Sequence, residues 1–149
     1  MALYRVAAAA GFAPALSNLG VYFNNGRGVP QDRAEAVRLW LQAADKGFAD
    51  AEAALARAYM NGEGVAQDYA AALRFARRSA DKGNAGGESH LGALYARGWG
   101  VPRDVREAIK WWAKAAAKGK QGAIENLRRH AAAGVPEAEA ALRRLRLAP

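Results

Sequence analysis

The sequence predicts an all-α protein, an α-solenoid of antiparallel helix pairs with a 36-residue repeat, and three observations carry that prediction. The stretch Gly26-Arg27-Gly28-Val29-Pro30-Gln31-Asp32 returns as Gly62-Glu63-Gly64-Val65-Ala66-Gln67-Asp68 and again as Gly98-Trp99-Gly100-Val101-Pro102-Arg103-Asp104. Ahead of each copy, Leu19, Leu55 or Leu91 is followed four residues later by Phe23, Tyr59 or Tyr95, a spacing that puts both side chains on one helical face. Alanine dominates the apolar residues, which favours helix and lets helices approach closely. A fixed period of this size marks a stack in which each unit buries its apolar face against its neighbours.

Residues 1–12 read as the second helix of a partial repeat. The segment imitates a secretory leader, with Arg5, a small apolar run and a small-residue site near Ala13-Pro14-Ala15. Shifted by 36 residues, however, Leu3-Tyr4 falls on Leu39-Trp40, Ala7-Ala8 on Ala43-Ala44 and Gly11-Phe12-Ala13 on Gly47-Phe48-Ala49, which assigns it to the repeat. Full units follow at 13–48, 49–84 and 85–120. Within each, Gly20, Ala56 or Gly92 is small enough to admit the partner helix. Gly26, Gly62 and Gly98 end the first helix, Val29, Val65 and Val101 plug the gap, and Asp32, Asp68 and Asp104 cap the second. Asp32 with Glu35 and Asp104 with Glu107 have capping-box spacing.

The second helix turns inward Ala36, Leu39 and Ala43; Ala72, Phe75 and Ser79; or Ala108, Trp111 and Ala115, and stops at Gly47, Gly83 or Gly119. Trp40 and Trp112 are expected between repeats with their rims accessible. Residues 121–149 read as C-terminal capping helices. Gly122, Ala123 and Leu127 begin a fourth first helix, Gly134-Val135-Pro136 stops it, and a last helix runs from Pro136 to about Leu145 with Arg143, Arg144 and Arg146 outward. The N-terminal helix has no such cap, which leaves it open to self-association.

The third unit, LGALYARGWGVPRDVREAIKWWAKAAAKG, closely resembles the SEL-like (Sel-one-like) repeat, a relative of the tetratricopeptide repeat, and the resemblance covers nearly the whole chain. It implies right-handed superhelical stacking and adaptor or scaffold work in signalling, envelope or secretion processes, including the neutralisation of a toxin by an immunity protein. It does not imply catalysis. Some bacterial relatives are cysteine-rich proteins said to bind or hydrolyse beta-lactams, but this chain has no cysteine. By analogy with tetratricopeptide-like solenoids, the first helices line a concave face that holds a protein or peptide. The positions left free there are Asn24 and Asn25; Arg57, Met60 and Asn61; Arg97; and Arg129, with Trp99 at the edge as an apolar anchor. Arg57, Arg97 and Arg129 are expected to form one basic ladder for an acidic or carboxylate-bearing segment.

Other chemistry finds little support. Gly-x-Gly is followed by Val and Asp where a phosphate loop needs lysine and a hydroxyl, so the motif reads as a turn. His90 and His130 lie in different units with no ligand spacing around them, and Ser17, Ser79 and Ser89 have no nucleophile context. No catalytic residue, cofactor site or metal site emerges. The net charge of +8 admits an acidic partner, but the basic residues are scattered along the chain and argue against nucleic acid. No run is long enough to span a membrane. The absence of cysteine fits cytoplasm and periplasm alike.

Overall fold

In the computed structural model, which describes residues 2–149, the chain folds into nine α-helices with no strand among the described residues. α1 (Ala2–Ala9) precedes three pairs: α2 (Ala13–Asn25) with α3 (Arg33–Asp45), α4 (Ala49–Asn61) with α5 (Tyr69–Asp81), and α6 (Ala85–Arg97) with α7 (Val105–Ala117). α8 (Gln121–Ala132) and α9 (Pro136–Arg144) follow. The closest packing is within each pair, and the first helices α4 and α6 also touch across units. α1 leaves Leu3 and Val6 exposed, and Phe12 at the head of α2 is exposed beside it. None of the described helices is long and apolar enough to cross a membrane.

Two kinds of connection alternate. After α2, α4 and α6 the chain turns through a left-handed glycine, Gly26, Gly62 or Gly98, at φ of 67, 69 and 68°. Six residues later the aspartate that opens the next helix is tied down twice. Its N–H donates to the carbonyl of Phe23, Tyr59 or Tyr95, while its Oδ1 accepts from the N–H of Glu35, Ala71 or Glu107 at 3.0, 3.1 and 3.0 Å. The aspartate N–H is therefore already satisfied, and only half of each expected capping box forms. Glu35 grips Arg38 instead, and Glu107 accepts from Trp111 and pairs with Lys110.

The indoles of Trp40 and Trp112 are 1% and 2% exposed, and this corrects the expectation of accessible rims between repeats. Each is tied by its indole N–H inside its own unit, and Trp112 also meets the His130 ring of α8 at 5.0 Å. Trp40 Nε1 donates to the Ser17 carbonyl at 3.1 Å and Trp112 Nε1 to that of Ser89 at 3.2 Å. That approach requires glycine opposite, since a Cβ on Gly20 or Gly92 would stand 2.5 Å from the indole nitrogen. In the middle unit the two positions are Ala56 and Ala76, both completely buried. The pairs Gly with Trp and Ala with Ala thus fill the same crossing with different divisions of volume. Leu39 and Phe75 are buried as the inner-face pattern requires, whereas Trp111 is half-buried with Lys114 Nζ 4.4 Å above its ring.

Two buried carboxylates went unrecognised in the sequence pattern. Glu52 and Glu88, each 2% exposed or less, accept from Lys82 and Lys118, the residues that close α5 and α7. Lys82 also donates to the Gly47 carbonyl at 2.9 Å. Both pairs lie inside one unit and recur 36 residues apart, a regularity that was available as a signal. Between units, glycines make the close contacts, in the helix at Gly87 against Ser79 and in the loops at Gly64 and Gly100. Gly64, at φ 74°, lies so close to Arg33 that a Cβ would meet its carbonyl oxygen at 2.3 Å, and Gly100 stands in the same relation to Tyr69 at 2.8 Å.

Candidate functional site

A depression of about 420 Å³ crosses the inner ends of α2, α4 and α6. Asn24 and Asn25 end α2 on one side, Asp50 and Arg57 come from α4, and Asn84 and His90 come from the start and middle of α6. Lys120, the cap residue of α8, lines it from beyond. These side chains converge because residues on successive first helices share a face when they are one repeat apart. Gly86 brings α6 close to α4, for its Cβ would meet that of Ala53 at 3.3 Å.

The polar network is partly committed. Asn84 Oδ1 accepts from the Gly87 N–H at 3.0 Å and caps α6, and its Nδ2 donates to Asp50 Oδ1 at 2.6 Å. Asn24 Nδ2 donates to Asn25 Oδ1 at 3.0 Å. Arg57 is different: its Nε is buried without a hydrogen-bond partner among the described residues, and the nearest carboxylate oxygen, on Glu63, is 3.8 Å away. His90 is held neutral. Desolvation, followed by the charges of Arg57 and Lys120, pushes its imidazole down from the usual 6.5 to about 4.

Of the residues expected to bind a partner, Asn24, Asn25 and Arg57 are brought together here. Met60 is a correction: it is 8% exposed and packed in the core with Leu55 and Phe75, so it presents no surface. Asn61 is exposed outside the depression, where it donates to Glu63 Oε1. Arg97 and Arg129 line a second, smaller depression between α6 and α8, of about 290 Å³. The three arginines therefore form no single ladder. The physical reason is register: with a 36-residue period Arg129 is the equivalent of Arg57, Ala93 stands between them, and Arg97 corresponds to Asn61.

Trp99 is also a correction. It is half-buried rather than free, stacked on Tyr69 of the preceding unit at 4.8 Å, with the Arg97 guanidinium 4.5 Å from its ring centre. Gly100 sets this contact by seating the loop on the first turn of α5. His90 and Lys120 were missed as members of the site, because they stand at opposite ends of one unit and meet there with residues of the two preceding units.

The depression can offer two cationic side chains, several amides and a neutral imidazole to a ligand. It holds no carboxylate free to serve His90 as an orienting partner, since Asp50 is engaged by Asn84. No three His, Cys, Asp or Glu side chains among the described residues are grouped to hold a metal ion.

A family model described as the Sel1 repeat matches residues 13–48, 49–84 and 87–120. No curated protein matches. Among solved structures, the chain is similar to c5321, a protective antigen present in uropathogenic Escherichia coli strains that displays an SLR fold. The TM-score is 0.80 at 37% identity, over 89% of this chain and 28% of that one. It is also similar to a Sel1 repeat protein from Oxalobacter formigenes, with a TM-score of 0.71 at 33% identity, over 81% of this chain and 50% of that one. The chain thus spans between about a quarter and a half of the length of these proteins.

Proposed function

Because the chain belongs to the Sel1 repeat family, whose members generally mediate protein–protein interaction, we propose that it is a non-catalytic scaffold that holds an extended segment of a partner protein on its concave face. The observation that supports this reading is the depression across α2, α4 and α6, where Asn24, Asn25 and Arg57 keep donor and acceptor capacity facing outward at successive first helices. Amides of this kind satisfy a partner's backbone, and a guanidinium fork matches a carboxylate. Arg97 and Arg129 extend the same face as a separate contact.

The outer surface supplies the comparison. On α5, Arg74 and Arg78 flank the Phe75 ring at 5.2 and 5.7 Å, and Arg77 Nη2 donates to the Tyr95 hydroxyl at 2.8 Å. A photo-crosslinking residue placed at Asn24 or Arg57 is expected to capture the partner, and one at Arg74 is not. For a partner so identified, Arg57→Ala with Asn24→Ala is expected to weaken binding at least about tenfold, the loss of one or two charge-assisted hydrogen bonds. Arg74→Ala with Arg78→Ala is expected to leave it within twofold, as rim charges remote from a contact do. The reverse ranking would remove the concave face from consideration.

A further inference from the structure

The depression carries more positive charge than its own carboxylates cancel. Arg57 on α4 and Lys120 at the head of α8 both line it, and the one carboxylate in its wall, Asp50, is held by the Asn84 amide. Glu63 approaches Arg57 from the loop side, but at 3.8 Å it is beyond hydrogen-bond reach, and its other oxygen accepts from Asn61. The buried Arg57 Nε is left without an acceptor. The first turn of α6 opens at the same wall, adding the positive end of a helix. His90 stands among these groups, with Arg57, Lys120 and Asp50 as the charges around it.

We propose, building on the concave-face reading, that this depression holds a single carboxylate of the partner between Arg57 and Lys120, and that His90 takes up a proton as the carboxylate arrives. In the wall itself Arg57 and Lys120 stand against Asp50 alone, and Glu63, 3.8 Å from Arg57 Nε at the loop side, offsets part of the remaining charge, so the site suits a single carboxylate better than a dianionic phosphate. Arg57 supplies the unused donor. The imidazole is neutral in the empty site because an imidazolium would add to the two cations in a poorly solvated place. An anion between those cations offsets their repulsion, so the proton becomes cheaper to bind. It comes from solvent and returns there when the partner leaves, and no covalent bond changes. Binding therefore tightens as pH falls below about 6 toward 5, before most of the ligand carboxylate protonates.

The test uses the full chain, whose two histidines give two ring signals in NMR, with His130 as the internal reference. The probes are three pentapeptides: one whose only carboxylate is its C-terminus, one capped at both ends whose only carboxylate is a central glutamate, and one capped and neutral. At least one of the carboxylate probes is expected to raise the His90 titration midpoint by about one unit or more, the size of shift an opposite charge at contact distance produces. Whichever does identifies the source as a chain terminus or an acidic side chain. His130 should not follow, and the neutral peptide should do nothing. Affinity should be about twofold higher at pH 5 than at pH 7.5, the linkage value for a midpoint raised from about 4 to about 5, and His90→Gln should abolish that pH dependence. Arg57→Gln should remove the His90 response, and Lys120→Gln, at an exposed position, provides the same comparison should the first variant unfold.

Failure of both carboxylate probes to bind overturns the proposal, as does a His90 midpoint that stays in place while they bind. So does an equal response to the neutral peptide, or a larger one to inorganic phosphate. Partner cross-links at Asn24 with an unmoved His90 would remove the carboxylate and leave the concave-face reading standing. A moved His90 with cross-links only on the outer helices would remove the concave-face reading itself.

Discussion

A neutral histidine beside two cations makes the folded state sensitive to acid even with nothing bound. In the folded chain His90 titrates near 4, below the usual 6.5 that the unfolded chain restores. As pH falls through 6.5 the unfolded chain takes up a proton that the folded chain still refuses. Stability from this group is therefore complete above about pH 6.5 and is lost progressively down to pH 4, to a maximum of about 3 kcal/mol. Urea unfolding at pH 7.5 and pH 4.5 should show His90→Gln losing less stability than the wild type over that interval. Parallel losses would mean that the imidazole is as well solvated in the fold as out of it. The residues legible in the sequence were those whose meaning is local or strictly periodic: Arg57 stands out because its position varies among units whose cores do not. His90 was not legible, since Arg57 belongs to the preceding unit, Lys120 stands at the far end of its own unit, and the desolvation comes from the wall of a groove. Met60 misled for a related reason. Its place beside Asn61 at the end of α4 suggests surface, but its flexible side chain folds back into the core.

The helix pairs were the most legible level, because their signals are written within a few residues. A glycine that must turn left, an aspartate that must cap and an apolar pair four apart determine where each helix stops and which side it buries. What those signals do not contain is how closely one element lies on the next. Gly64 looks like Gly119 in sequence, a glycine between helices, and both have positive φ, 74 and 82°. A Cβ at Gly119 would meet nothing within 4 Å, while one at Gly64 would run into the Arg33 backbone. Gly119→Ala should therefore cost about 1 kcal/mol, the conformational penalty alone. Gly64→Ala should cost about 1–3 kcal/mol more, because a backbone carbonyl has to move. Equal melting temperatures for the two variants would show that the loop gives way freely and does not fix the spacing between units. The destination of Trp40 and Trp112 was hidden for the same reason, as it depends on a crossing distance that a single helix does not specify.

At the scale of the whole molecule, the period told of the stack, and the register within it told which side chains could meet. The three arginines lie on first helices, yet two repeat steps separate Arg57 from Arg129 and a helical turn displaces Arg97, so they line two depressions instead of one continuous track. The net charge of +8 is likewise distributed: part faces inward at Arg57 and Lys120, and part lies outward on α5, where guanidinium groups rest on aromatic rings. The division of volume between Gly20 and Trp40, Ala56 and Ala76, and Gly92 and Trp112 bears on how such a chain can be cut and rejoined. The indole hydrogen bonds and the two buried ion pairs all close within one unit. A splice at the short turn between units transplants every matched partner together. A splice in the long glycine loop separates them, and the two possible hybrids fail differently. Joining α4 to α3 drives an indole into Ala56, whereas joining α2 to α5 leaves Gly20 facing Ala76 across a void. Hybrids cut at residue 48 should fold, and those cut at residue 30 or 66 should not, with the void tolerated better than the collision. In such a lineage the inheritable piece is the helix pair, and the loop that looks most interchangeable is the worst place to break it.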